Sequence, residues 1–223
     1  MDFLRKVWAI VAKDVAAELH TREIISAMLV FAVLAMLIFS FALDLQRALA
    51  RAVAPGVLWS TVAFAGTLGL SRSLAREQQT GCIDGLLLAP MDRSAIFFGK
   101  ALGNLVFIGV VELVLLPLFS ALFDVPLLRA DVLLVTVLGT VGYAAVGTLL
   151  AAVAVNTRAR EVMLPILLLP MAIPALIAAV QSTMGLLDGA SLAEVGNWIR
   201  LLVFYDLIIV AVSLLVFSYV VEE

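Results

Sequence analysis

The sequence has almost no histidine or cysteine and carries few charges. Among its 223 residues there is one histidine, His20, and one cysteine, Cys82. A lone cysteine cannot form an internal disulfide, and no Cys-x-x-Cys or Cys/His cluster indicates a metal or redox site. A catalytic site needs a nucleophile with a base, or a set of metal ligands. We therefore expect a chain without enzymatic activity of its own.

Charged residues make up only 14% of the chain, whereas hydrophobic residues make up 64%. A soluble domain is about half apolar and about a quarter charged, and a small domain has too much surface to hide such an excess. The mean hydropathy of +1.17 agrees with this imbalance. Lipid is the solvent that suits this composition, so we expect an integral membrane protein.

Six apolar stretches are long enough to cross a bilayer, which takes about 20 helical residues. They are residues 24–43, 52–71, 101–123, 132–157, 162–187 and 201–221. Their apolar character is continuous and lacks the alternation of barrel strands. The sequence therefore predicts an all-α fold, in which residues 1–223 form one polytopic membrane domain with six transmembrane helices.

Positive charge is distributed unevenly between the connecting segments. With the N-terminus inside, ten Lys and Arg residues fall on the inner side and four on the outer side. The inner residues are Arg5, Lys6, Lys13, Arg22, Arg72, Arg76, Arg93, Lys100, Arg158 and Arg160, and the outer ones are Arg47, Arg51, Arg129 and Arg200. Lys and Arg are favoured on the cytoplasmic side. We therefore expect both termini in the cytoplasm.

Residues 1–22 predict an amphipathic helix that lies in the membrane interface. Its apolar stripe consists of Leu4, Val7, Trp8, Val11, Val15 and Leu19, and the opposite side carries Arg5, Lys6, Lys13 and His20. Helices of this kind direct their basic side chains towards lipid headgroups. The alternative is a soluble helix that packs on a partner.

Residues 72–100 form the one long connection, 29 residues on the cytoplasmic side. A loop of this length is usually functional. The segment Gly81–Pro90 within it predicts a short helix with Ile83, Leu86 and Leu87 on one side. Asp92 predicts the N-cap of a further helix that continues into the third span. The mixed charges of the loop argue against nucleic-acid binding.

The fifth apolar run, 162–187, contains Pro165, Pro170 and Pro174. Each proline removes a backbone donor and tends to kink a helix. The run is either one bent helix or a span followed by a shorter re-entrant piece, and the sequence leaves both open.

Three polar residues within the spans are candidates for a functional role. Glu112 lies at the middle of the third span, where an acidic residue costs on the order of 3 kcal/mol, and Asn104 is on roughly the same side. Glu112 is either a polar contact at a subunit interface or pathway, or a side chain satisfied by Asn104 or by a neighbouring helix. Asp206 is expected nearer the outer surface, where a structural role is favoured.

The pair Gly99-Lys100 does not belong to a phosphate-binding loop. That motif requires glycine at position 94 and Ser or Thr at position 101, and this chain has Ser94 and Ala101. Any nucleotide energy must therefore come from another subunit.

The long loop resembles the signature of the ABC-2 type transporter permeases. The residues that carry the resemblance are Glu77, Gly81, Asp84, Leu87-Leu88, Pro90 and Gly99-Lys100. Within that superfamily the chain is most similar to the haem exporter protein B (CcmB) family of cytochrome c maturation. This closer resemblance rests on Lys13-Asp14-Val15-x-x-Glu18, Arg22-Glu23, Pro55-Gly-Val-Leu-Trp59, Ser73-Leu-x-x-Glu77 and Leu86-Leu-Leu-Ala-Pro90.

The resemblance implies a permease subunit in the bacterial inner membrane, moved by a cytoplasmic ABC ATPase (CcmA-like). It implies that the ATPase couples to Glu77, Gly81, Ile83, Asp84, Leu86, Leu87, Pro90, Met91 and Lys100. Further implied partners are a haem-handling membrane subunit (CcmC-like), a small single-span subunit (CcmD-like) and a second copy of the chain. ATP-Mg and haem would be bound by these partners and not by this chain. The alternatives are a permease that exports another amphiphile, such as a drug or a lipid-linked glycan, and a membrane scaffold.

Overall fold

The structure, a computed structural model, describes residues 2–43, 47–79, 92–154 and 160–220 of the chain. These residues form seven helices. They are α1 (Asp2–Thr21), α2 (Glu23–Leu43), α3 (Arg47–Gln79), α4 (Arg93–Phe123), α5 (Ala130–Ala154), α6 (Arg160–Leu187) and α7 (Gly196–Val220).

Six of these helices, α2 to α7, are long and apolar enough to cross a membrane. Because the described residues form helices joined by turns and short connections, the predicted all-α fold with six spans is confirmed. The protein is a multi-pass membrane protein.

The predicted 29-residue connection is partly helical. The helix α3 continues past the membrane stretch to Gln79, and α4 already begins at Arg93. Asp92 occupies the N-cap position with an extended backbone, as predicted, but its side chain makes no capping hydrogen bond. The predicted short helix Gly81–Pro90 lies outside the described residues.

The helices α3 and α5 form the centre of the bundle, and α2 and α7 are the most exposed of the spans. Small residues on α5 allow this packing, because large side chains of neighbouring helices rest directly on them. Trp59 of α3 lies against Gly139, and Leu70 of α3 lies against Gly147. Close packing at small residues is how helices associate in lipid, where no hydrophobic force drives them together.

The proline-rich run forms one continuous helix, α6, through Pro165, Pro170 and Pro174. This decides the question that the sequence left open, because α6 runs without interruption from Arg160 to Leu187 and is followed only by turns before α7. Prolines are tolerated in membrane helices when neighbouring helices and side chains satisfy the freed backbone groups. A separate contact lies at the C-terminal end of α6, where the guanidinium of Arg129 donates to the carbonyl of Leu186 (3.0 Å).

Candidate functional site

The N-terminal helix α1 packs on the bundle with only part of its predicted apolar stripe. Val7 and Val11 are buried, together with Ile10, which lay outside the predicted stripe. Leu4 and Trp8 remain 74% and 70% exposed. The helix therefore has two apolar sides, one against the protein and one open to its surroundings.

The exposed apolar side of α1 lies next to its basic side. Leu19 joins Leu4 and Trp8 on this side and is 66% exposed. At 100° per residue these three side chains lie between the buried face and the face that carries Arg5 and Lys13. Around the helix, the face that packs on the protein is followed by an exposed apolar face and then by a basic face. This arrangement is expected of a helix that lies on a bundle at a lipid–water boundary.

The helix α1 crosses the start of α4 at two glycines. A Cβ atom at Gly99 would come within 2.7 Å of the Cβ of Ile10, and one at Gly103 would lie 3.5 Å from Asp14 Oδ2. Ile10 and Asp14, four residues apart on α1, therefore pack over Gly99 and Gly103, which are four residues apart on α4. Any larger residue at position 99 would push the two helices apart.

A nearly buried ion pair lies beside this crossing. Lys100 Nζ donates to Asp14 Oδ2 at 2.8 Å, and the two side chains are 10% and 13% exposed. Lys13, which is more exposed, lies 3.0 Å from the other carboxylate oxygen. Removing one partner of a buried pair leaves a charge without compensation, which costs about 3–5 kcal/mol.

A second buried carboxylate, that of Glu18, joins α1 to α2. Its Oε1 accepts hydrogen bonds from the backbone amides of Ile24 and Ile25, both at 2.9 Å. These amides belong to the first turn of α2, where backbone donors have no partner within the helix. Glu18 therefore acts as the cap of a helix other than its own.

Arg76, near the end of α3, holds the C-terminal end of α1. Its guanidinium donates to Thr21 Oγ1 (2.7 Å) and to the carbonyl of Ala17 (3.3 Å), and it lies 3.6 Å from Glu18 Oε2. A cation is favoured at the C-terminal end of a helix, where free carbonyl groups accumulate. We call Asp14, Glu18, Arg76, Gly99 and Lys100 the α1 junction.

The predicted coupling residues divide into two groups. Glu77 lies in the last turns of α3, and Lys100 lies in α4 and faces α1. The other seven lie outside the described residues; they are Gly81, Ile83, Asp84, Leu86, Leu87, Pro90 and Met91. The structure therefore places only Lys100 in a described contact, and that contact is with Asp14.

The intramembrane candidates Asn104 and Glu112 do not contact each other through hydrogen bonds. Asn104 Nδ2 donates to Thr148 Oγ1 (3.0 Å), whereas Glu112 Oε1 accepts from Thr140 Oγ1 (2.5 Å). Both partners are on α5. The sequence left open whether Glu112 has a functional role or is satisfied by a neighbouring helix. The structure supplies such a neighbour, because Thr140 of α5 donates to Glu112.

Asp206 lies farther from a helix end than the sequence suggested. It is at the middle of α7, buried, and against Gly142 at the middle of α5. Its Oδ1 has no hydrogen-bond partner among the described residues. The expectation of a position near the outer surface overlooked the small residue opposite, which lets α7 approach α5 at this level.

Sequence reasoning missed Arg76 and Glu18 as members of one site. The signal was present, since each is a charged residue next to an apolar run, but their meeting depends on the position of α1. It also missed a buried contact in which Trp59 Nε1 donates to Thr183 Oγ1 (3.1 Å) between α3 and α6.

Six helices of membrane-spanning length, with an N-terminal helix packed across the start of α4, define the class of the chain as a multi-pass membrane protein. Comparison with known proteins makes this specific: the chain belongs to the CcmB protein family, whose model matches residues 5–222.

Three curated relatives agree with this assignment, and each is named "Heme exporter protein B". The relative from Rhodobacter capsulatus is 31% identical over 67% of this chain and 69% of its own length. The one from Pseudomonas aeruginosa is 27% identical over 67% of each chain. The one from Bradyrhizobium diazoefficiens is 23% identical over 81% of this chain and 82% of its own.

Proposed function

We propose that this chain is the permease subunit of an ABC transporter complex for cytochrome c maturation. In this role it couples ATP hydrolysis by a partner ATPase to the delivery of haem or to the release of a haem-loaded periplasmic chaperone. The observation that carries the proposal is the family match over residues 5–222, together with relatives that are named haem exporters. The export of another amphiphile has no comparable support.

The proposed location is the bacterial inner membrane, with both termini in the cytoplasm. The contacts of α1 support a common side for the basic segments, because Arg76 and Lys100 both bind α1. The N-terminal helix and both helical ends of the 72–100 connection therefore lie at one end of the bundle. The Lys and Arg excess at this end favours the cytoplasmic side.

The proposed partners are a CcmA-like ATPase, a CcmC-like haem-handling subunit, a CcmD-like single-span subunit and a second copy of this chain. In this proposal ATP-Mg is bound by the ATPase and haem by the other subunits. The ATPase binds the segment 80–91 between α3 and α4, and this chain transmits the resulting movement to its membrane-spanning helices. Haem iron is usually held by His, Cys, Met or Tyr. The six predicted spans contain Met and Tyr but neither of the first two.

The test is co-purification of the partner ATPase with charge-reversed variants. We expect Glu77→Lys and Asp84→Lys to lower the ATPase retained by about tenfold or more, the factor that corresponds to about 1.4 kcal/mol of binding free energy. Asp188→Lys is the matched control, because it reverses an exposed charge in the turn between α6 and α7. Native mass spectrometry of the same complex counts the copies of this chain.

Retention of the ATPase at the wild-type level by both variants would contradict the proposed coupling residues. Failure of the wild-type chain to retain any ATPase would contradict the proposed function as a whole. A single copy of the chain in the intact complex would contradict the second copy alone.

A further inference from the structure

The α1 junction joins residues from three separate parts of the sequence. Asp14 and Glu18 belong to α1, Arg76 is near the end of α3, and Gly99 and Lys100 are near the start of α4. Two of these helix ends, those of α3 and α4, flank the segment 80–91. The same helix, α1, is therefore attached to both sides of that segment.

The attachment to α4 is tight and depends on geometry. Gly99 lets Ile10 approach so closely that no Cβ fits between them. Beside it, Lys100 and Asp14 form an ion pair that is mostly shielded from water. Because close-packed contacts have low compressibility and transmit strain, α1 follows a displacement of the start of α4 as long as these contacts hold.

Among the described residues, Arg76 attaches α3 to α1 and approaches three residues of α1. Arg76 binds the hydroxyl of Thr21 and the carbonyl of Ala17, and it also lies near the Glu18 carboxylate. The contact lies about one helical turn before Gln79, where α3 ends. A displacement of the end of α3 therefore acts on the C-terminal end of α1.

The α1 junction also contacts the start of α2. The Glu18 carboxylate, which Arg76 approaches from α3, holds the first amides of α2 at Ile24 and Ile25. A movement that reaches Glu18 is thus transmitted to the end of a membrane span.

We propose that α1 is a transmission element, which carries displacement of the segment 80–91 into α2 and α4, with Asp14 and Glu18 as its positioning residues. The inference rests on the proposed function, because it assumes that an ATPase moves that segment. In this role α1 stays attached to α4 throughout the cycle, and the Asp14–Lys100 pair keeps it there. Loss of the pair uncouples ATP hydrolysis from work in the membrane without releasing the ATPase.

The geometry of the crossing supplies a direct test. A Cβ at Gly103 lies 3.8 Å from the Cβ of Asp14, and about 3.8 Å is the mean Cβ separation of a disulfide. The variant Asp14→Cys/Gly103→Cys, made in a Cys82→Ser background, therefore replaces the ion pair by a covalent bond that a reductant opens. The complete complex is reconstituted in proteoliposomes, and the haem-loaded chaperone released per ATP hydrolysed is measured.

We expect the oxidised variant to couple within about twofold of the Cys82→Ser chain. The reduced variant and Asp14→Asn should release about tenfold less chaperone per ATP, a factor within the range of ordinary coupling free energies. The ATPase should remain bound. Because loss of the ion pair destabilises both the reduced variant and Asp14→Asn, release is measured at a temperature where both are still folded, as their melting curves show. Asp131→Asn, which breaks an ion pair with Arg129 at the other end of the bundle, is the matched control and should couple normally.

Three results would overturn the inference. The first is that the disulfide does not form, and the second is that the reduced variant couples as well as the parent chain. The third is that the oxidised variant is uncoupled while the reduced variant works, which would mean that α1 must leave α4 during the cycle. If the parent chain shows no ATP-dependent release, the proposed function fails instead. Disulfide formation is scored without the ATPase, so the docking of α1 is tested separately.

Discussion

At the scale of single residues, the glycines of α5 decide how closely the bundle packs. Gly139 lies under the indole of Trp59, which is 2% exposed and donates a hydrogen bond to Thr183. We expect Gly139→Ala to lower the free energy of unfolding by about 1–3 kcal/mol, because the added methyl group displaces a buried ring. The thermal midpoint in detergent and the emission of Trp59 measure this.

Gly109→Ala is the control for that substitution. Gly109 is also in a membrane-spanning helix, but a Cβ there would meet no atom of another described helix within 4 Å. Since alanine favours a helix over glycine by about 1 kcal/mol, this variant should be neutral or stabilised. Equal destabilisation by the two variants would show that the cost does not come from Trp59.

The carboxylate of Glu18 gives a second prediction at this scale. Glu18→Ala removes the acceptor for two amides of α2, and loss of a helix cap costs about 0.5–2 kcal/mol. Glu18→Gln keeps an acceptor oxygen and should lose less. Unfolding in graded denaturant compares both with Glu23→Gln, a change at an exposed neighbour. A loss with Glu23→Gln as large as that with Glu18→Ala would contradict the capping role.

At the scale of the elements, α1 is where prediction from sequence reached its limit. The amphipathic periodicity of residues 1–22 correctly predicts a helix. It also predicts a single apolar stripe, whereas in the structure part of that stripe packs on the protein and part is exposed. Periodicity measures how apolar a face is and not which neighbour covers it. Ile10 and Asp14 meet Gly99 and Lys100 across 85 or more residues of chain, and such a contact has no local signal.

The proline-rich helix α6 shows the same limit. Proline spacing predicts where a backbone donor is missing, but whether the helix breaks depends on the helices that pack around it. Those neighbours come from distant parts of the chain, as Trp59 of α3 shows by donating a hydrogen bond to Thr183 of α6. By contrast, the existence of all six spans depends only on length and composition, and these are properties of each segment alone.

The exposed side of α1 predicts a contact with lipid that fluorescence can measure. Trp8 is 70% exposed next to Leu4 and Leu19, and an indole is favoured at headgroup depth. We expect lipids with a quencher near the headgroup to quench the emission component that Trp8→Phe removes. The component removed by Trp198→Phe serves as the reference. Quenching of Trp8 by aqueous acrylamide, but not by lipid-bound quenchers, would favour a soluble helix that packs on a partner.

At the scale of the whole molecule, the end of the bundle that carries the α1 junction must face the cytoplasm if an ATPase acts there. The lone cysteine, Cys82, lies in the segment between α3 and α4, and both of those helices contact α1 at that end. We expect a membrane-impermeant maleimide to label Cys82 in inverted membrane vesicles and not in intact spheroplasts. The chain needs no engineering for this measurement.

The opposite end of the bundle provides the matched control for topology. Leu128 is 58% exposed in the connection between α4 and α5, so Leu128→Cys in a Cys82→Ser background should be labelled in spheroplasts only. Because α4 alone separates the two positions, a correct topology requires opposite labelling patterns. Labelling of Cys82 from the periplasm would place the α1 junction outside, where no ATP is available. The proposed coupling through α1 would then be impossible, even though every contact within the bundle remained as described.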